Sequence, residues 1–275
     1  MLSTRIIPVL LLDGQGLVKT KQFAKPKYVG DPINAVRIFN EKEVDELIFL
    51  DIGAGKKRQE PNFELIAEIA SEAFIPFAYG GGIYTLDQID RLFYTGVEKV
   101  VVNTLTFTNP RMVEQAAQKF GSQSIVGSVD VDRSLFGKVQ LKSHGGLKKQ
   151  KVSLSEHIRN LEQMGVGEIM INAIPKDGMM QGYDLDLIES VSKLVMVPLI
   201  ACGGAGSLEH MKDAVKLGRA DAAAAGSLFV FSGPHRAVMI NYPKYSALKQ
   251  YFRADGWDKS MCQVRYGSNR SSYCF

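Results

Sequence analysis

The chain has 275 residues, 33 of them Lys or Arg and 29 Asp or Glu, for a net charge of +4, with 45% hydrophobic and 23% charged residues. That make-up belongs to a soluble globular protein able to bury one large core, and its mild basicity suits anionic metabolites rather than nucleic acid. No apolar run approaches a membrane span, the first residues lack the pattern of a secretion signal, and three sparse cysteines (Cys202, Cys262, Cys274) fit a reducing cytoplasm.

Along the chain, short apolar runs alternate with helix-period segments. Arg5–Leu12 reads as a buried strand ending at the turn pair Asp13-Gly14, and Asn34–Lys42 as a helix. Glu46–Ile52 is the second strand; Lys56-Lys57-Arg58 follows it, either steering an anion or simply solvated. After the helix Asn62–Ala73, the strand Ile75–Tyr79 runs into Gly80-Gly81-Gly82 and the helix Leu86–Tyr94. Lys99–Asn103 is the fourth strand, closed by Asn103-Thr104, and Pro110–Phe120 the next helix. Ser124–Val131 carries Asp130 and leads to a hairpin turning at Lys142-Ser-His-Gly-Gly146. The run Lys148-Lys149-Gln150-Lys151 reads as a solvated loop, and Ser155–Met164 as a helix. Glu168–Ile174 precedes Asp177-Gly178 and the methionines Met179 and Met180, which either make the rim apolar or pack on the wall. The helix Asp184–Lys193, strand Pro198–Cys202, turn Gly203-Gly204-Ala205-Gly206, helix Leu208–Leu217, strand Ala220–Ala225 and helix Tyr245–Phe252 complete the pattern.

Eight βα units with buried, non-alternating strands predict an α/β fold, a closed (β/α)8 TIM barrel spanning residues 1–257 as one domain, with 258–275 a flexible tail. Pro76–Leu86 resembles Pro198–Leu208, and Arg5–Asp13 falls against Ser124–Asp132, so the chain reads as two half-barrels with Leu11 opposite Asp130. Each half has a glycine turn between strand and helix, where backbone N–H groups can approach an anion. One candidate phosphate site is Gly81, Gly82, Asn103 and Thr104; the other is Gly203, Gly204, Gly226 and Ser227. A ligand with two anionic ends fits both.

His144, His157, His210 and His235 show no metal-ligand spacing, so no metal and no cofactor are expected. His157 and His210 lie on helices and are expected to be solvated, whereas His144 borders the site. Cys202 reads as core rather than nucleophile.

The segments Arg5-Ile-Ile-Pro8, Leu50-Asp51-Ile52, Tyr79-Gly-Gly-Gly-Ile83, Phe120-Gly-Ser-Gln123, Ser143-His-Gly-Gly146 and Gly182-Tyr183-Asp184, in this order, resemble the cyclase subunit of imidazole glycerol phosphate synthase. The resemblance runs from about Met1 to Tyr251. It implies that Asp130 is a catalytic acid or base, that Lys19 sits in a mobile active-site loop, and that Asp51 and Asp177 contact substrate, with Gly178 beside them. It also implies that Arg5, Glu46, Lys99 and Glu168 form a charged ring gating ammonia at the barrel's N-terminal end, where a glutaminase subunit docks as a heterodimer. A stability plug is the plainer reading of that ring.

Leu11 breaks the family pattern, which has aspartate there, and Val9 stands where cysteine is usual. Leucine neither donates nor accepts protons, and Asp13, of the same strand parity, is a candidate substitute. Leu10–Leu12 and Gly30–Val44 resemble a divergent branch associated with surface-polysaccharide loci and acetamidino-sugar formation. Three functional readings stand: ammonia-dependent chemistry on a phosphorylated or nucleotide-linked sugar with a further amidotransferase, the standard cyclase of histidine biosynthesis, and a non-catalytic ammonia conduit.

Overall fold

The structure, a computed structural model, describes residues 4–253 apart from 58, 135 and 234, and not the side chains of 56, 57 and 253. The tail with Cys262 and Cys274, and the side chains of Lys56-Lys57-Arg58, lie outside the described residues.

Eight parallel strands form the barrel: β1 (Arg5–Asp13), β2 (Leu47–Asp51), β3 (Phe77–Gly80), β4 (Lys99–Val102), β5 (Ile125–Arg133), β6 (Glu168–Ala173), β7 (Leu199–Cys202) and β8 (Ala222–Ala225). Each pairs with the next, and β1 pairs with β8, which closes the sheet. The outer helices are α1 (Pro32–Glu41), α2 (Phe63–Glu72), α3 (Leu86–Thr95), α4 (Pro110–Phe120), α5 (Leu154–Gln163), α6 (Leu185–Ser192), α7 (Leu208–Lys216) and α8 (Tyr245–Arg253). The first seven start where a side chain accepts from a first-turn N–H: Asp31, Asn62, Thr85, Asn109, Ser153, Asp184 and Ser207.

Side chains alternate along each strand, and the two parities build two cores. Ile6, Leu10, Phe49, Tyr79 and Ile169 point outward into the large core beneath the helices. Ile7, Val9, Leu11, Ile48, Ala78, Val101, Val126, Met170, Ile200 and Ala222 fill the bore.

The half-barrel repeat is visible in the backbone. Gly81 and Gly82 have φ of 112° and 68°, and Gly203 and Gly204 have 89° and 119°. Asn103 (φ −119°, ψ −73°) and Gly226 (φ −104°, ψ −66°) start short helices, Thr104–Thr108 and Ser227–Val230, in nearly the same conformation.

Four local features differ from expectation. Gly16–Lys21 and Ala24–Gly30 form a hairpin that extends β1, with Leu11 opposite Val18. Lys148–Lys149 is a short exposed strand paired with Val139–Ser143 rather than plain loop. His157 is buried, stacked on Phe107 with ring centroids 4.1 Å apart, because α5 turns this position toward the short helix Thr104–Thr108. His210 is half-buried, its Nδ1 accepting from Gly206 N at 3.1 Å.

Burial pushes the His157 imidazole down to about 4 from its usual 6.5. An unfolded chain therefore protonates this histidine first, and stability is lost as pH falls from about 6.5 to about 4. His157→Leu is expected to flatten that acid-side loss by roughly 1–3 kcal/mol, read from urea midpoints at pH 7 and 4.5. An unchanged slope would contradict a neutral buried ring.

Candidate active site

The strands end in one cavity of about 1310 Å³, part of it open to solvent, at the C-terminal mouth of the barrel. Asp130, Lys19, Asp51, Gly81, Gly82, Asn103, Thr104, Asp177, Gly178, Gly203, Gly204, Gly226 and Ser227 all line it. Their sequence separation is large; the closed sheet brings them together.

Asp130 is 9% exposed and points inward from β5. Burial, helped by the charge of Asp177, raises its carboxyl from the usual range to about 7. Asn103 Nδ2 donates to Asp130 Oδ2 at 2.9 Å. A carboxyl that titrates near neutrality can both give and take a proton at working pH.

The opposite side of the floor is hydrocarbon. Register places Leu11 beside Leu50 between β1 and β2, just as Asp130 stands beside Asn172 between β5 and β6. Val9, Leu11, Leu50 and Ile52 thus face a wall of Ser128, Asp130 and Asn172. Asp13 does not line the cavity: its Oδ1 lies against Gly53, where an added Cβ would sit 2.5 Å from it. That places it beside Asp51, outside the space facing Asp130, because the hairpin pairs Asp13 with Gly16.

The roof is the hairpin after β1. Thr20 Oγ1 donates to Asp177 Oδ2 at 3.1 Å, Gln22 N to Asp177 O at 3.0 Å, and Gln22 Nε2 to Pro175 O at 3.0 Å. These bonds fasten the hairpin to the loop after β6. Arg236 holds the same loop from the other side, donating to Gly178 O at 3.0 Å and Met179 O at 3.1 Å. Lys19, on the hairpin, is 5% exposed. Its ammonium reaches Gly226, where a Cβ would collide with Nζ. Burial lowers the Lys19 pKa, opposed by Asp177 and Cys202.

The glycine turns are tight because other backbone passes close by. A Cβ on Gly81 would strike the Asp51 carbonyl, and one on Gly204 the Gly182 carbonyl. Both residues also have positive φ, so side chains there are strained twice over.

Asp51 is engaged by the protein: Oδ1 accepts from Ala54 N at 2.7 Å and Oδ2 from Tyr79 Oη at 3.3 Å. Burial raises its pKa. Cys202 lines the cavity, and burial with the Asp177 charge pushes its thiol up to about 12, away from nucleophilic use. His144 borders the cavity with φ 56° and its Nδ1 2.8 Å from Ser143 Oγ. Met179 and Met180 do not line it; Met180 packs against Gly206. Sequence reasoning passed over Asn172, Ser128 and Thr20. Strand parity was the available signal for the first two, which share a face with Glu168 and Asp130.

At the other end of the barrel the four charged residues meet. Arg5 lies 2.7 Å from Glu46 and 2.8 Å from Glu168; Lys99 lies 3.0 Å from Glu46 and 3.2 Å from Glu168. The ring alternates in sign and is neutral as a whole. Above it, Ile7, Ile48, Val101, Val126, Met170, Ile200 and Ala222 are 0–4% exposed, so the bore is packed shut to water in this conformation. Among the described residues no three His, Cys, Asp or Glu side chains gather as a metal site, and no helix is long and apolar enough to cross a membrane.

A family model described as histidine biosynthesis protein matches residues 5–234. The chain is 52% identical over 248 residues to the "Putative imidazole glycerol phosphate synthase subunit hisF2" of Pseudomonas aeruginosa, covering 90% of this chain and 99% of that protein. It is 48% identical over 251 residues to the "Putative imidazole glycerol phosphate synthase subunit hisF3" of Vibrio vulnificus, covering 91% and 96%. It is 38% identical over 235 residues to the "Imidazole glycerol phosphate synthase subunit HisF" of Thermobifida fusca, covering 84% and 91%. With a closed eightfold barrel, paired glycine turns and these relatives together, the chain belongs to the histidine biosynthesis protein family, as a HisF-like cyclase subunit.

Proposed function

We propose that this subunit takes ammonia from a glutaminase docked on the N-terminal face of its barrel and uses it on a phosphorylated or nucleotide-linked sugar, in acetamidino-sugar formation for a surface glycan. A further amidotransferase chain activates that sugar. One observation carries the reading: the charged ring is complete while the cavity floor pairs Leu11 with Leu50 opposite a single carboxyl, Asp130. Cyclisation needs proton removal and donation at separate points; Asp51 is engaged by Ala54 N and Tyr79, and Asp177 by Thr20, which leaves Asp130 as the carboxyl across from the hydrocarbon wall. The N-terminal face also exposes Phe74, Leu194, Met196 and Leu217 in the loops leading into β3, β7 and β8, apolar surface of the kind partners cover. Passage of ammonia requires the ring and the Met170 layer to part, which side-chain rotation can provide. The paired glycine turns suit phosphate oxygens, with Lys19 neutralising the one beside Gly226.

The standard cyclase of histidine biosynthesis is the second reading, favoured by the names its relatives carry. Purified chain with ammonium salt and the two-phosphate ribonucleotide intermediate separates them. The expected result is no imidazole product from the native chain, and measurable turnover from Leu11→Asp, which sets a second carboxyl across from Asp130. Turnover by the native chain would refute the diversion to a sugar.

A further inference from the structure

The short helix Thr104–Thr108 stands between two cavities. Thr104 and Leu105 line the mouth of the barrel, while Thr106 and Phe107 line a second hollow of about 810 Å³, part of it open to solvent, on the outer wall between α4 and α5. The reaction proposed at the mouth makes no use of this hollow.

The most deeply buried side chain in its lining is His157, at 1% exposure. The tautomer of that ring follows from its neighbour. Thr106 Oγ1 lies 2.7 Å from Asn103 O, a group that only accepts, so the single hydroxyl proton of Thr106 is committed there. Thr106 Oγ1 is therefore the acceptor in its contact with His157 Nε2 at 3.4 Å, and Nε2 carries the ring proton. Burial keeps the imidazole neutral at working pH. Nδ1 is then a bare acceptor, without a hydrogen-bond partner among the described residues. Buried polar atoms in native proteins are nearly always paired, so this nitrogen calls for a donor from the hollow that the ring lines.

The rest of the lining narrows the molecule that brings the donor. Phe107, Pro110, Val152 and Met164 are apolar, and Phe107 already stacks on one face of the His157 ring at 10°. A flat apolar body suits such a lining. Arg111 and Glu114 stand three residues apart on one face of α4, both exposed, and they do not pair with one another. Arg111 has no ion pair or hydrogen bond among the described residues. A cation and an anion held side by side at the rim match the two ends of a zwitterion.

We propose that this hollow binds a free α-amino acid whose side chain is an aromatic ring bearing an N–H. The ring lies on the apolar lining and donates to His157 Nδ1, the carboxylate meets Arg111, and the ammonium meets Glu114. A ring without the N–H would leave Nδ1 both desolvated and unpaired, which is how the site discriminates.

Side-chain amide NMR of the full chain at pH 8 tests it, because Asn160 and Gln163 line the hollow whereas Asn172 lines the mouth. L-Tryptophan, L-histidine and L-phenylalanine are titrated separately. Tryptophan or histidine is expected to shift the Asn160 and Gln163 signals saturably, to leave Asn172 in place, and to half-saturate at least tenfold below phenylalanine, which has the ring and the zwitterion but no ring N–H. Indole and imidazole, which lack the charged ends, are expected to bind at least tenfold more weakly than the parent amino acids. Arg111→Gln, an exposed change on α4, is expected to remove that advantage of the amino acids. His157→Phe is expected to erase the preference over phenylalanine; if it does not fold, the ligand comparison on the native chain and on Arg111→Gln decides. No saturable shift with tryptophan or histidine, equal binding of phenylalanine, a shift centred on Asn172, or unaltered binding in Arg111→Gln overturns the site. The titrations need no ammonia, glutaminase or sugar, so their outcome is independent of the proposed reaction.

Discussion

Asp130→Asn is expected to cut glutamine-coupled turnover by about 10²–10⁴-fold while making the protein more stable above pH 7. The two effects share one cause. Burial, with the charge of Asp177 nearby, holds the Asp130 carboxyl at about 7. In the unfolded chain the same group ionises near 3.8. Between those values the native state keeps a proton that the unfolded state has lost, so stability falls as pH rises from about 4 to about 7 and stays lower beyond. The penalty is at most about 4 kcal/mol, since each pKa unit is worth about 1.4 kcal/mol. Asparagine carries no charge to desolvate. Urea unfolding at pH 8 is expected to show a gain of roughly 1–4 kcal/mol that shrinks toward zero at pH 4. A variant that keeps full turnover would make the barrel a mere passage for ammonia. One that gains nothing at pH 8 would show that the carboxylate is well solvated.

The eight barrel strands and the eight outer helices were legible because each is long, apolar on one side and bounded by a capping residue or glycine. Pro110–Phe120 came out with the expected ends, and the other helices shifted by a residue or two where caps stand outside the first helical turn. The hairpin Gly16–Gly30 was not legible. Its second strand is mostly exposed, and its place is set by tertiary bonds from Thr20 and Gln22 to the loop after β6. The burial of His157 escaped although it borders the apolar stripe of Leu154, Ile158 and Leu161, because its slot is made by Thr106 and Phe107 from another element. In the site, glycine turns and Asp130 could be read locally. Asn172 could be read only as inward-facing, from its parity with Glu168, because an asparagine in a strand means little until its register partner is known. The same holds for Asp13, whose parity with Leu11 pointed inward but whose hairpin pairing turns it toward Gly53.

Glu46→Gln is expected to destabilise the fold by roughly 2–4 kcal/mol, because breaking one side of a buried ion pair leaves the other charge uncompensated. Glu46 is shared by Arg5 at 2.7 Å and Lys99 at 3.0 Å, so the loss gives the ring an unbalanced positive charge in a partly buried layer. The ring's side chains are 5–26% exposed, which keeps the cost below that of a fully buried pair. The single variant cannot tell a gate from a plug, since both roles need the balance. The neutral double variant Glu46→Leu/Lys99→Leu can. Replacing a buried ion pair with hydrocarbon is often neutral or stabilising, so this variant is expected to unfold within about 1 kcal/mol of the native chain. A gate needs charges that respond to a docked partner and part; a hydrocarbon plug does not respond. Turnover driven by glutamine through the partner should therefore fall at least tenfold in the double variant, while turnover with added ammonium salt, which enters from the open mouth, should persist. Equal loss by both routes would mean that the leucines distort the cavity above. Full retention of glutamine-driven turnover would reduce the ring to a structural layer and remove the floor of the barrel from the path of nitrogen.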